Sequence, residues 1–144
     1  MPNATMQLAA DLRAVLSRMI KKLRKESATS QQLSLTERST MGLLYQHKEL
    51  LPSELASMEK ITNQSMSQIV GHLSELGYVN RKTSDADKRK VFISLTENGE
   101  KTLLQMRSER AAWLARAIME KCTSEEEAVL RRAIDILAKM VDFE

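Results

Sequence analysis

After Gly77 the apolar residues of this chain change period. Before that point they recur at steps of three and four, the spacing of one face of an α-helix. Beyond it Val91, Ile93 and Leu95 alternate with Phe92 and Ser94, as in a strand, and Tyr78 to Lys82 reads as a second strand. The TSDADKRK segment between them is a polar tip, so the pair reads as a β-hairpin. From Thr96 the helical period resumes. The pattern predicts a mainly α fold carrying one small hairpin.

The helices around the hairpin follow from stripes and caps. Leu8, Leu12, Val15, Leu16, Met19, Ile20 and Leu23 make one apolar stripe on a first helix of roughly 20 residues. The polar SATSQQLS stretch reads as a connection. Thr36 offers an N-cap to a helix that runs to about His47. Leu51 is not a capping residue, so the short helix after it relies on Pro52 in its first turn and on packing. Thr62 caps a further helix with Met66, Ile69, Val70, Leu73 and Leu76 on its apolar side, closed by Gly77. Thr96 and Glu97 start a long helix that ends near Lys121. The Thr123 and Glu126 capping box opens the last one, which runs towards Asp142. With only 4 Gly and 2 Pro in 144 residues, little interrupts these helices.

Composition narrows the class. No apolar run approaches the ~20 residues of a membrane-spanning helix. Asp11 and Arg13 interrupt the stretch where a signal peptide needs apolar residues, so a cytoplasmic location is expected and no membrane partner. One cysteine, Cys122, excludes an intramolecular disulfide framework. His47 and His72 stand 25 positions apart without metal-ligand spacing, so no metal or cofactor is expected. No nucleophile elbow, phosphate loop or paired-carboxylate arrangement occurs, which argues against an enzyme. The net charge is only +3, but Arg81, Lys82, Lys88, Arg89 and Lys90 face just Asp85 and Asp87 within ten residues. A local cationic cluster on a nearly neutral body suits an anionic partner that touches one place.

Two consecutive helices joined by a tight turn and followed by a hairpin have the order of a winged helix-turn-helix. The exposed face of the second helix holds Thr62, Asn63, Gln64, Ser65, Ser67, Gln68 and His72, and no carboxylate occurs from Thr62 to Ser74. A merely solvated face would use Glu, Lys and Arg, which are better helix formers. Short amides and hydroxyls pair with base edges and phosphate oxygens, while a carboxylate would repel phosphate. The tip completes the set. Arg89 is the candidate for a minor groove, because a guanidinium loses less on dehydration than an ammonium does. Asp87 can pin it, and Lys82, Lys88 and Lys90 would contact phosphates without sequence choice.

The stretch GYVNRKTSDADKRKVFISLTENGEKTL resembles the wing of the MarR family of bacterial transcription regulators. The likeness rests on the Gly-aromatic-Val exit, Arg81, the Asp87-x-Arg89 tip and the LTENG start of the next helix. LTERSTMGLL and SELASMEKITNQSMSQIVGHLSELGYV resemble the helices before it, so the likeness is close over about residues 35–104. It implies a single 1–144 domain in which 35–96 forms the winged helix-turn-helix unit, and 1–34 with 97–144 supplies dimerisation helices. It also implies a homodimer on double-stranded DNA with a near-palindromic operator, acting as a repressor. A small aromatic or phenolic effector is implied as well, and Met19, Met41, Tyr45 and Trp113 are candidates for its pocket. The terminal helices independently carry more apolar stripe than the central unit can cover, which marks an interface. Two other readings stand beside this one. One is a helical dimerisation or adaptor module whose wing contacts an acidic protein. The other is a redox-responsive regulator acting through Cys122, which sits before a helix N-terminus.

Overall fold

Ser34, not Thr36, starts the second helix. The Ser34 hydroxyl accepts the Glu37 N–H at 3.0 Å, and the Glu37 carboxylate accepts the Ser34 N–H at 2.8 Å. This reciprocal box satisfies two N–H groups at once, which a cap at Thr36 could not do with the residues that follow it. Thr36 lies within the first turn, where its carbonyl accepts the Thr40 hydroxyl.

The computed structural model describes residues 2–144. Among these, α1 spans Pro2–Lys25 and a 3-10 turn spans Thr29–Gln32, within the expected connection. Then come α2 (Leu35–His47), β1 (Glu49–Leu50), α3 (Pro52–Glu59), α4 (Asn63–Glu75), β2 (Val79–Thr83), β3 (Val91–Leu95), α5 (Glu97–Lys121) and α6 (Ser124–Val141). Glu54 supplies what Leu51 lacks at the start of α3, its carboxylate accepting the Leu51 N–H at 2.9 Å. The turn between α3 and α4 is closed by Lys60 in the left-handed region at φ 57°.

The hairpin gains a third strand. Leu50 pairs with Ile93, so the antiparallel order is β1-β3-β2, and β3 is central. Two residues are too short a segment to show a period, which is why the pattern reveals only the hairpin. Leu50, Val79 and Ile93 turn inward onto a core of Leu33, Met41, Leu44, Leu55, Met66, Val70, Leu73, Leu103 and Met106. Each large side chain buried there contributes about 1.5–3 kcal/mol.

Two glycines fix how the wing joins the helices. Gly77, at φ 80°, ends α4, with its N–H on the Ser74 carbonyl and the Tyr78 N–H on that of Leu73. Gly99 lies in the first turn of α5, where an added Cβ would sit 2.0 Å from the Tyr78 carbonyl oxygen. That close approach lets the Thr96 N–H reach the same carbonyl at 3.0 Å and the Thr96 hydroxyl reach the Gly77 carbonyl at 2.6 Å. The LTENG segment is therefore a joint between wing and long helix. Among the described residues no helix is long and apolar enough to cross a membrane. No residue of α6 is buried.

Candidate nucleic-acid interface

Thr62 caps α4 by accepting the Ser65 N–H at 3.0 Å, and its own hydroxyl donates to the Ser65 Oγ. This committed pair fixes the first turn. Asn63, Gln64, Ser67 and Gln68 are exposed beside it, on the face opposite the buried Met66, Val70 and Leu73. The first turn holds no acidic residue, so the positive end of the helix dipole is left uncompensated and open to an anion.

At the wing tip Asp87 grips Arg89. The carboxylate accepts the Arg89 backbone N–H at 3.0 Å, its Nε at 3.2 Å and its Nη2 at 3.3 Å. The Arg89 side chain is nevertheless 91% exposed, so the pairing aims the guanidinium without covering it. Arg89 holds the Asp87 carboxyl below its ordinary range, first through the side-chain bonds and then through the backbone bond. The tip is closed by the Ser84 N–H on the Lys90 carbonyl at 2.9 Å and the Lys90 N–H on the Asp87 carbonyl at 3.0 Å.

The fold brings these two sets together. Asn63 at the head of α4 and Arg89 and Lys90 from the wing line one open cleft of about 540 Å³, with Leu51, Pro52, Ser53 and Val91 as its remaining wall. Ser53 carries no motif or spacing that marks it in the sequence beyond the Pro-Ser start of α3, which faces the same cleft. Lys88 is exposed on the tip. Arg81 and Lys82 are exposed on β2, but as successive strand residues they project from opposite faces and do not converge.

His72 is placed differently from its neighbours. Its Nδ1 is bonded to the Glu37 carboxylate of α2, and 43% of its side chain stays exposed. Glu37, by hydrogen bond and charge, raises the imidazole above its ordinary value. Burial pushes the Glu37 carboxyl up. The Ser34 N–H, then His72 and the Ser34 hydroxyl, outweigh that and leave it lowered.

Of the residues named for an effector pocket, Met19 is exposed on α1. Met41 is fully buried in the core. Tyr45 lies beneath Lys48 and Arg107, and Trp113 beneath Lys22. Cys122 is half-buried at the end of α5.

Comparison with known proteins gives a consistent result. Residues 31–90 match the model of the MarR family. The HTH-type transcriptional regulator Mb0904 of Mycobacterium bovis is 30% identical over 142 residues, covering 99% of this chain and 98% of its own. The HTH-type transcriptional repressor YetL of Bacillus subtilis is 32% identical over 87 residues, 59% of this chain and 52% of its own. A transcriptional regulator from Pseudomonas aeruginosa PA01 superposes with a TM-score of 0.85 at 26% identity, covering 97% of this chain and 98% of its own. The Mb0904 and Pseudomonas aeruginosa matches take in the winged unit and both terminal helical segments. A helix head free of carboxylates, set beside a cationic wing on that scaffold, identifies the chain as a member of the MarR family of DNA-binding transcriptional regulators.

Proposed function

We propose that this regulator is a cytoplasmic homodimeric repressor that reads a near-palindromic operator and is released by a small effector. The cleft shared by Asn63, Arg89 and Lys90 carries the reading. With α4 in the major groove, Gln64, Ser65, Ser67 and Gln68 meet base edges or adjacent phosphates, and Thr62 and Asn63 sit over the backbone. Arg89 then enters the neighbouring minor groove, held by Asp87, while Lys82, Lys88 and Lys90 contact phosphates and Arg81, on the other face of β2, stands apart from them. His72 lies at the edge of this face, with Glu37 setting its orientation.

The dimer is supported by what α6 leaves uncovered. Val129, Leu130, Ile134, Ile136, Met140 and Val141 are exposed along it, and Leu8, Val15, Leu16, Met19 and Ile20 along α1. Apolar surface of that extent needs a cover, and a second copy supplies a matching one across a two-fold axis. Two recognition helices would then face half-sites about one turn of DNA apart. Repression is the role named for YetL.

Selection of bound sequences from a randomised DNA pool, at two salt concentrations, tests this. The expected product is a near-palindrome whose enrichment falls steeply with salt and disappears when Gln64 and Gln68 are replaced by Glu. No enrichment from a folded, dimeric protein would refute the operator reading.

A further inference from the structure

From Thr62 to Ser74, the length of α4 that faces outward, His72 is the one residue that can carry a charge. It lies one helical turn beyond Gln68 and two beyond Ser65, on the same stripe. Its Nδ1 is bonded to the Glu37 carboxylate of α2. A carboxylate only accepts, so Nδ1 carries the hydrogen and donates it. Glu37 is itself held in place. Its other oxygen accepts the Ser34 N–H at 2.8 Å, its own N–H is on the Ser34 hydroxyl at 3.0 Å, and only 10% of its side chain is exposed. Ring orientation and tautomer are therefore set from α2. Nε2 has no hydrogen-bond partner among the described residues, and 43% of the His72 side chain is open to solvent.

This arrangement makes Nε2 report the protonation state. In the neutral ring the hydrogen is spent on Glu37, and Nε2 presents a lone pair, which a phosphate oxygen repels. In the imidazolium Nε2–H is a charged donor, and a phosphate oxygen accepts it. An unpaired histidine would discriminate less, because its neutral form can put the hydrogen on either nitrogen. Few groups act on the titration. Glu37 raises it, first by hydrogen bond and then by charge; desolvation opposes, and Glu75 on the same helix adds to the rise. α3 and β2 also pack on α4, and neither contributes a charged group to the shift. The Glu37 carboxyl is lowered, so it stays ionised wherever the imidazole titrates.

We propose that His72 is a proton-gated phosphate contact: Glu37 holds the ring so that only its protonated form donates Nε2–H to the DNA backbone, and DNA binding takes up a proton. Glu37 acts through His72 and is a positioning residue. The inference rests on α4 facing DNA, as proposed above, but on neither the operator sequence, the dimer nor an effector, since a phosphate contact carries no sequence choice. Affinity then falls as pH rises through the imidazole's titration, above its ordinary value of about 6.5. One linked proton limits the slope to about tenfold per pH unit.

Fluorescence anisotropy of the full chain on a labelled random-sequence duplex of about three helical turns, at low and constant ionic strength, tests this between about pH 6 and pH 8.5. Wild-type affinity should fall roughly three- to tenfold across that range. His72→Gln should give a flat profile at the wild type's alkaline affinity. Glu37→Gln should move the profile to lower pH, because glutamine also serves a capping box and keeps the start of α2. A merely structural Glu37 would instead weaken binding equally at every pH. His47→Gln, exposed at the far end of α2, should leave the profile unchanged. A flat wild-type profile, or a slope that survives in His72→Gln, would overturn the proposal. Gln68→Glu separates the two readings by weakening binding at every pH. If it does not, α4 does not face DNA and both fall; a flat wild-type profile with that loss intact removes the proton link alone.

Discussion

Glu37 serves two helices at once: one carboxylate oxygen accepts the Ser34 N–H at the start of α2, and the other meets Nδ1 of His72 on α4. α4 is thereby tied to the same side chain that caps its neighbour. Its orientation depends on a pair that titrates.

The pH dependence has a definite sign. His72 is raised in the folded chain, so its contribution is complete below its ordinary value and is lost as pH rises through the folded one. Glu37 is lowered, so its contribution is present above the ordinary carboxylate value and is lost as pH falls through the folded one. Both hold together between about pH 5 and pH 6.5. We predict that the difference in thermal midpoint between the wild type and His72→Gln is widest there and narrows above neutrality. A difference independent of pH would show that the pair carries no charge interaction.

Arg89→Ala should lower operator affinity at least about tenfold and reduce the salt slope by about one, leaving the dimer intact. Asp87→Asn should cost less, because the amide oxygen keeps one bond to the Arg89 backbone while the guanidinium loses its clamp. Fluorescence anisotropy with a labelled operator, at several salt concentrations, measures both. Unchanged affinity in Arg89→Ala would remove the wing from the mechanism.

Leu16→Glu on α1 and Ile134→Glu on α6 should each yield monomers that bind DNA poorly. Leu16 is 42% exposed and Ile134 64% exposed in the single chain, so neither change opens its core. Sedimentation velocity reads the outcome. A variant that stays a tight dimer would place the interface elsewhere.

Gly99→Ala should destabilise the chain by about 3 kcal/mol, because the new Cβ must displace backbone rather than a movable side chain. Denaturant unfolding with an unchanged midpoint would mean that the first turn of α5 does not set the joint.

Local features were legible in the sequence. The α4 cap at Thr62, the Gly77 stop, the Asp87–Arg89 pairing and the Thr123–Glu126 box all connect residues within a few positions, where spacing and chemistry are read together. The missed features join distant segments. Leu50 finds Ile93 across 43 positions, and Glu37 finds His72 across 35, distances at which no spacing rule applies. Arg38 looked like any solvated helix residue, and only the packing of α5 against α2 dehydrates it. Thr36 drew the cap assignment from Ser34 because both types cap helices. The reciprocal bond from Glu37 decides between them.

The joint at Gly99 and Tyr78 makes the long helix a lever. α5 has 25 residues and leaves β3 with only Thr96 between them, so no flexible hinge separates its axis from the wing. At about 1.5 Å per residue it is roughly 37 Å long, and a tilt of about 5° moves one end by roughly 3 Å relative to the other. In the proposed dimer, a small rocking of the crossed terminal helices would therefore appear at the DNA as a change in the distance between two reading heads. That displacement is comparable to the rise of one base pair.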